Sequence, residues 1–467
     1  MNRPEPHPEP GTTTAVPRGG ISPAGPLRAR RVALSLAALV CLGVTGGAPA
    51  TAAPQSEVVS RGVTIPAFYT PPDSLPKANG ALVRTAPLPL ALSLPGLDGR
   101  PLPGTATRLM YKSTDASGQP VAVTGAYLEP SAAWRHGGPR PLVALAPGTM
   151  GQGDQCAASL GLEHPITFNG RTVSVGYENL AVYRLLSTGV AVVVTDYVGL
   201  GATDRLHTYV NRLDAGHAVL DAVRAARNLP DASISSASPT GLYGYSQGGG
   251  ASAAAAELQP VYAPDITLAG TYAGAPPADL AAVVKGIDGS ALAGALGWSV
   301  NGFLQSDPAL GAVADRHLNT VGKNALHDLS TMCVGDAVLT YAFTKSTTWT
   351  RSGESLTDVV NSEPLLRATL DAQRIGTLTP TSPVRLVTGV QDDIVPHAQA
   401  RRLALDWCAK GADVTYKAVT LPNLGDKLLT NHLAPLLTDQ TAAITWLTTR
   451  LSGTPTPSNC TTLPSQP

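Results

Sequence analysis

The sequence predicts an α/β protein, with a mostly parallel sheet buried on both faces and helices packed against each side. Three observations lead there. Short apolar runs alternate with helix-length stretches along most of the chain. A serine sits between glycines where one such run gives way to an alanine-rich stretch. An all-helical segment of about a hundred residues interrupts the alternation before its last strands.

Taken in order, residues 58–94 are proline-rich and are expected to wrap the surface. A hairpin follows, with strands at 107–113 and 121–127 joined by the turn Asp115-Ala116-Ser117-Gly118. Runs 141–146 and 190–195 are continuously apolar, as expected of parallel strands covered on both faces. Helices are expected at 178–186 and 215–227, where apolar residues recur at helical spacing. The strand 240–243 then leads through a sharp turn into a helix over 251–258. Further strands are expected at 268–273, 384–389 and 414–419, with a closing helix at 433–451. Between them, residues 279–373 divide into helices at 280–284, 291–303, 328–343, 356–360 and 365–373. An insertion at that point is expected to cap the carboxyl ends of the strands, where open α/β sheets bind ligands. The resulting division is 1–52 as an export signal, 53–278 and 374–452 as a two-part core, 279–373 as a helical cap, and 453–467 as a tail.

Composition narrows the function. Formal net charge is zero and only 14% of residues are charged, which gives no electrostatic footprint for nucleic acid. Hydrophobic residues make up 43% and aromatics only 5%, so a large core must be built from Ala, Val and Leu. The 47 glycines and 41 prolines indicate a turn-rich globular chain. There is no internal repeat, no metal-ligand spacing and no glycine-rich phosphate loop, so no cofactor is expected.

At the N-terminus, Arg28, Arg30 and Arg31 precede an apolar run over 32–44, and Ala50-Thr51-Ala52 fits a signal-peptidase site. The run is shorter than the ~20 residues of a membrane-spanning helix, so export without a transmembrane anchor is expected, with a mature chain from near Ala53. Arg30-Arg31 leaves the general and twin-arginine routes both open. Removal of Cys41 leaves Cys156, Cys333, Cys408 and Cys460, which suit two disulfides in any of three pairings.

The serine turn carries the chemistry. Gly244-Tyr245-Ser246-Gln247-Gly248 is a Gly-x-Ser-x-Gly sequence in a strand–turn–helix setting, which exposes the serine oxygen above the sheet. A serine hydroxyl needs an adjacent base, itself oriented by a third group. In such folds the chain order is serine, acid, histidine. Only His317, His327, His397 and His432 follow Ser246. The first two fall in the cap, and His397 lies five residues past Asp392 on the same loop. His432, at the start of the last helix, is therefore the expected base. The segment Gly389-x-x-Asp392-x-x-Val395-Pro396 supplies the acid, its spacing favouring Asp392, turned inward, with Asp393, toward solvent, as the alternative. Two N–H groups should bind the oxyanion: that of Gln247, next to the nucleophile, and that of Thr149 in Pro147-Gly148-Thr149-Met150-Gly151. Asp196, at a neighbouring strand end, is expected to be a structural hydrogen-bond acceptor.

Several separated motifs together resemble the secretory lipase family of fungi and actinobacteria, the group that contains the Candida lipases. They are Arg108-x-x-Tyr111-x-Ser113-Thr114-Asp115, Gly118-x-Pro120-x-Ala122-Val123-Thr124-Gly125, Pro147-Gly148-Thr149 through Gly153-Asp154-Gln155-Cys156-Ala157, and Thr195-Asp196-Tyr197-x-Gly199-Leu200-Gly201, with the serine turn and the Asp392/His432 pair. The likeness runs from about residue 68 to 451. One departure is Pro147, where members often carry His. The resemblance implies an α/β-hydrolase fold with a helical cap and triacylglycerol or other carboxylic esters as substrates, met in transient contact with a lipid interface. It implies Ser246 as nucleophile, Asp392 as acid, His432 as base, Thr149 and Gln247 as oxyanion donors, and disulfides Cys156–Cys333 and Cys408–Cys460. The same machinery would also serve a peptidase or an acyltransferase, and a hydrolase scaffold without catalysis would serve as a secreted binding protein.

Overall fold

The computed structural model describes residues 57–96 and 101–467. The expected export signal at 1–52 lies outside the described residues. The centre is a nine-stranded sheet. Its strands are β1 (Leu82–Leu88), β2 (Gly104–Thr114), β3 (Pro120–Pro130), β4 (Leu142–Ala146), β5 (Ala191–Val198), β6 (Thr240–Tyr245), β7 (Leu268–Gly274), β8 (Val384–Gly389) and β9 (Val414–Val419). They lie side by side in the order β9-β8-β7-β6-β4-β5-β3-β2-β1. From β5 across to β9 every pairing is parallel, whereas β1, β2 and β3 add an antiparallel edge.

The apolar runs are read by the pleat. Val143 and Leu145 of β4 and Val192 and Val194 of β5 enter the core on one face, with Leu185, Leu186 and Leu447. Leu142, Ala144, Ala191 and Val193 enter the core on the other, with Val219, Val223 and Ala255. Alternation with period two sends successive side chains to opposite faces, so a strand covered on both must be apolar throughout. The covering helices are α1 (Ala158–Glu163), α2 (Asn179–Ser187), α3 (Arg212–Arg227), α4 (Gln247–Tyr262), and α13 (Thr430–Leu451) at the chain's end. Gly216 lets α3 and α4 approach closely: a Cβ there would come within 2.7 Å of Leu258 Cδ1.

Between β7 and β8 the chain forms seven helices: α5 (Leu280–Ile287), α6 (Ala295–Ser306), α7 (Leu310–His317), α8 (Thr320–Leu329), α9 (Val334–Tyr341), α10 (Leu356–Ser362) and α11 (Pro364–Ala372). They share a core of their own around Leu296, Trp298, Leu329 and Trp349. Helix α12 (His397–Ala409) follows β8.

Two local expectations change. Residues 328–343 are not one helix but the end of α8 and the whole of α9. The break is at Cys333, which caps α9 with Asp336 and is bonded to Cys156. Within the proline-rich 58–94 segment, β1 joins the sheet beside β2. Its Pro87 is tolerated because an edge strand leaves one row of N–H groups unpaired in any case. The 453–467 tail packs on the core: Leu463 is fully buried, and Asn459 hydrogen-bonds Val414 and Tyr416 along the free edge of β9. Covering that edge removes a template for pairing with other chains.

The disulfides are Cys156–Cys333, which ties the loop after β4 to the helical insertion, and Cys408–Cys460, which ties α12 to the tail. Among the described residues no helix is long and apolar enough to cross a membrane.

Candidate active site

Ser246 lies at the junction of β6 and α4 with φ 57° and ψ −122°. A non-glycine residue held there costs on the order of 1–3 kcal/mol, so the surroundings must over-determine it. They do so by close packing. A Cβ on Gly244 would stand 2.2 Å from the Gly248 carbonyl oxygen, and one on Gly248 would stand 2.0 Å from that of Ala146. The Ser246 N–H donates to the Gly274 carbonyl at 2.9 Å, and its carbonyl accepts the first α4 bond from Gly250 at 3.0 Å.

The expected acid and base meet. Nδ1 of His432 is 2.7 Å from Oδ2 of Asp392, with both side chains buried. The other carboxylate oxygen, Oδ1, accepts the N–H groups of Ile394 at 3.1 Å and Val395 at 2.9 Å. Gly389 makes the approach possible, since a Cβ there would come 2.7 Å from Cγ of Pro435 on the His432 helix. Asp393 is half-buried rather than turned to solvent, because it accepts the N–H of Lys427 and anchors the loop before α13. His397 is set apart, 3.4 Å from the Tyr416 hydroxyl, while His317 pairs with Glu363 in the insertion.

With Nδ1–H committed to Asp392, Nε2 of His432 carries the lone pair, and it is buried without a hydrogen-bond partner. Ser246 and His432 form no direct hydrogen bond, but Tyr245 joins their two elements. Its hydroxyl donates to the His432 carbonyl at 2.7 Å, and the two rings lie 5.4 Å apart.

The loop after β4 is pinned at nearly every polar atom. The Pro147 carbonyl accepts from the Tyr197 hydroxyl at 2.7 Å, the Gly148 N–H donates to Glu178 Oε1 at 2.6 Å, and the Thr149 carbonyl accepts from the Tyr177 hydroxyl at 3.0 Å. The Thr149 hydroxyl lies 2.7 Å from that of Tyr209. The Thr149 N–H makes no hydrogen bond within the described chain. Gln247, the first residue of α4, likewise has an N–H with no partner inside its helix. The Gln247 side chain donates to Nε2 of His207 at 3.1 Å, whose Nδ1–H donates to the Val198 carbonyl at 2.9 Å. Burial pushes His207 down to about 4, partly offset by that carbonyl, so the ring is neutral and can accept from Gln247.

Tyr177, Glu178, His207 and Tyr209 escaped the sequence reading because they come from distant segments and carry no motif, and Tyr197, within the Thr195-Asp196-Tyr197 motif, was given no role there. Asp196 behaves as expected. It accepts from the Thr124 and Ser159 hydroxyls and the Ser159 N–H, and burial pushes it up to about 6 against those bonds.

The secretory lipase family model matches residues 162–459. A protein of Mycobacterium tuberculosis named a probable inactive lipase is 32% identical over 391 residues, covering 83% of this chain and 82% of that one. Lipase 2 of Candida albicans is 27% identical over 400 residues, covering 83% and 80%. The chain belongs to the secretory lipase family. Among solved structures, Candida antarctica lipase A in its closed state superposes with a TM-score of 0.69 at 20% identity, covering 84% of this chain and 86% of that one. A rice cell wall degrading esterase from Xanthomonas oryzae gives 0.63 at 20%, covering 79% and 97%. This secretory lipase therefore has the α/β-hydrolase fold and is a carboxylic-ester hydrolase.

The lipase carries a large apolar cavity whose lining includes Ser246 and Gln247. Its free space, including the part open to solvent, is about 1160 Å³. Leu292, Leu296, Val300, Phe303 and Leu304 of the 291–304 stretch line it, joined by residues of α5, α7, α10 and α11. Trp298 of the same stretch turns into the helical core, where its indole N–H donates to the Leu329 carbonyl at 2.9 Å. Among the described residues no group of three or more His, Cys, Asp or Glu side chains is placed to hold a metal ion.

Proposed function

We propose that this secretory lipase is an exported serine hydrolase that cleaves acyl esters, triacylglycerol among them, through an acyl-enzyme. Ser246 attacks the ester carbonyl while Nε2 of His432 takes its proton, and Asp392 holds the imidazole in the tautomer that leaves Nε2 free. The N–H groups of Gln247 and Thr149 receive the oxyanion. His432 returns the proton to the leaving alcohol and then activates the water that releases the acid. The acyl chain lies in the apolar cavity, so residues 279–373 act as its cap.

One observation carries this reading: a buried imidazole nitrogen without a partner, oriented by a buried carboxylate and joined through Tyr245 to the element of a strained serine that lines an apolar cavity. Export is supported by the signal features of residues 1–52 and by relatives such as the secreted triacylglycerol lipase of Malassezia restricta. The purified exported chain is expected to begin near Ala53, which N-terminal sequencing reads directly.

The name of the Mycobacterium relative favours weighing a non-catalytic scaffold. Against it, this chain retains serine, acid and base, with the acid and base hydrogen-bonded. Fluorophosphonate labelling decides: wild-type protein should be labelled and Ser246→Ala should not. Turnover of p-nitrophenyl butyrate should vanish with the same substitution, and an Ser246→Ala enzyme that still turns over would refute the assignment.

A further inference from the structure

The Gly148 N–H is bound by a carboxyl group that no cation accompanies. Glu178 is buried at the start of α2, and its Oε1 accepts the Gly148 N–H at 2.6 Å. Gly148 has no room for a side chain, since a Cβ there would stand 2.5 Å from the Tyr177 hydroxyl and 3.2 Å from Oε1 itself. The ionisable groups that face the carboxyl are Tyr177, Tyr197 and Tyr243, and burial above all keeps their three hydroxyls protonated. Two of them, Tyr177 and Tyr197, hold the carbonyls of Thr149 and Pro147. Three side chains from two separate segments thus fix three consecutive residues, and the Thr149 N–H is left over.

We propose that Glu178 is a positioning residue of the oxyanion hole, fixing the peptide before Thr149 so that the Thr149 N–H faces the bound ester. The inference rests on the catalytic reading above. The carboxyl works in its neutral form. A neutral carboxylic acid still accepts from Gly148 through its carbonyl oxygen, whereas a carboxylate would set an uncompensated charge next to the site where the ester oxygen turns negative. Burial, opposed only by the Gly148 bond, pushes Glu178 up to about 7, so the acid is neutral in mildly acidic medium and loses its proton as the medium turns alkaline.

The test is the pH dependence of kcat and KM on a soluble p-nitrophenyl ester for the parent, Glu178→Gln, Glu178→Ala and Ser246→Ala. In the parent, kcat should fall above about pH 7. The amide of Glu178→Gln accepts the same N–H and cannot ionise. Its kcat should stay within about threefold of the parent at pH 6 and lack the alkaline decline. Glu178→Ala should lose about 10–100-fold in kcat at every pH with KM within about twofold, a smaller loss than removing an oxyanion donor outright. The same alkaline limb in Glu178→Gln as in the parent would overturn the proposal, as would a folded Glu178→Ala enzyme with kcat within about twofold of the parent. If Glu178→Ala does not fold, the Glu178→Gln profile decides alone. An inactive Ser246→Ala beside indifferent Glu178 variants would sink this inference and spare the catalytic reading. Undiminished turnover by Ser246→Ala would sink both.

Discussion

Replacing Asp392 with Asn tests the proposed base through its orientation. The amide has the shape of the carboxylate, so packing is kept. Its oxygen has only one place to go, because the N–H groups of Ile394 and Val395 both point at the Oδ1 position. An NH₂ group there would face two donors. The amide NH₂ is therefore forced to the Oδ2 position, 2.7 Å from Nδ1 of His432. Nδ1 must then accept, its proton moves to Nε2, and the nitrogen nearest the chemistry can no longer take a proton from Ser246. A triad in the wrong tautomer loses about 10³–10⁴ in kcat, or about 4–5 kcal/mol of transition-state stabilisation. Because the fold keeps its hydrogen bonds, the melting temperature should move little. The Asp393→Asn enzyme is the control: its carboxylate accepts only the Lys427 N–H, and kcat should stay within about threefold. Initial rates on p-nitrophenyl butyrate, normalised by fluorophosphonate titration of reactive serine, measure both. An Asp392→Asn enzyme within about tenfold of the parent would refute the tautomer argument, and equal losses in the two variants would refute the choice of acid.

Further outcomes follow from the cavity, the disulfides and the buried acids. Val300→Trp places an indole in the apolar cavity and should cut hydrolysis of palmitate esters by about tenfold or more while leaving butyrate esters within about threefold; equal losses on both would place the acyl chain elsewhere. Removing Cys156–Cys333, which closes a sequence separation of 177, should lower stability by up to about 5 kcal/mol through the unfolded chain's entropy. Losing Cys408–Cys460, with a separation of 52, should lower it by up to about 4 kcal/mol, and urea titration of the two double variants compares them. Burial raises Glu178 and Asp154 to about 7 and Asp196 and Asp214 to about 6, Asp204 adding to the Asp154 shift. The folded protein thus holds protons that the unfolded chain releases, and their stabilising effect, full below about pH 4, is lost as the medium rises through pH 6–7. His207, lowered to about 4, acts in the opposite sense, its contribution disappearing as pH falls from about 6.5 to 4. The melting temperature should therefore be higher by a few degrees near pH 5.5 than at pH 8. A flat or rising profile over that interval would show the acids to be ionised in the fold.

What the chain declares locally it declares clearly. The runs at 141–146 and 190–195 are apolar at every position because both faces of a central strand are covered, so no tertiary knowledge is needed to read them as β4 and β5. The serine turn is legible for a similar reason: a serine held at positive φ between crowded glycines leaves a short, contiguous signature. The order of serine, acid and histidine cut nine histidines to four, and their placement along the chain pointed to His432. Other features were decided by contacts between residues far apart in the chain. The break between α8 and α9 follows from the bond of Cys333 to Cys156, which no helical periodicity encodes. The strand β1 exists because β2 offers it an edge. The surroundings of Asp392 and Asp393, adjacent and chemically identical, are set apart by which backbone N–H groups the folded loops turn toward each. Glu178 and the tyrosines that hold the Thr149 loop belong to this second class. A buried hydrogen bond is a property of two groups that the fold has brought together, and one-dimensional spacing records only those that are neighbours along the chain.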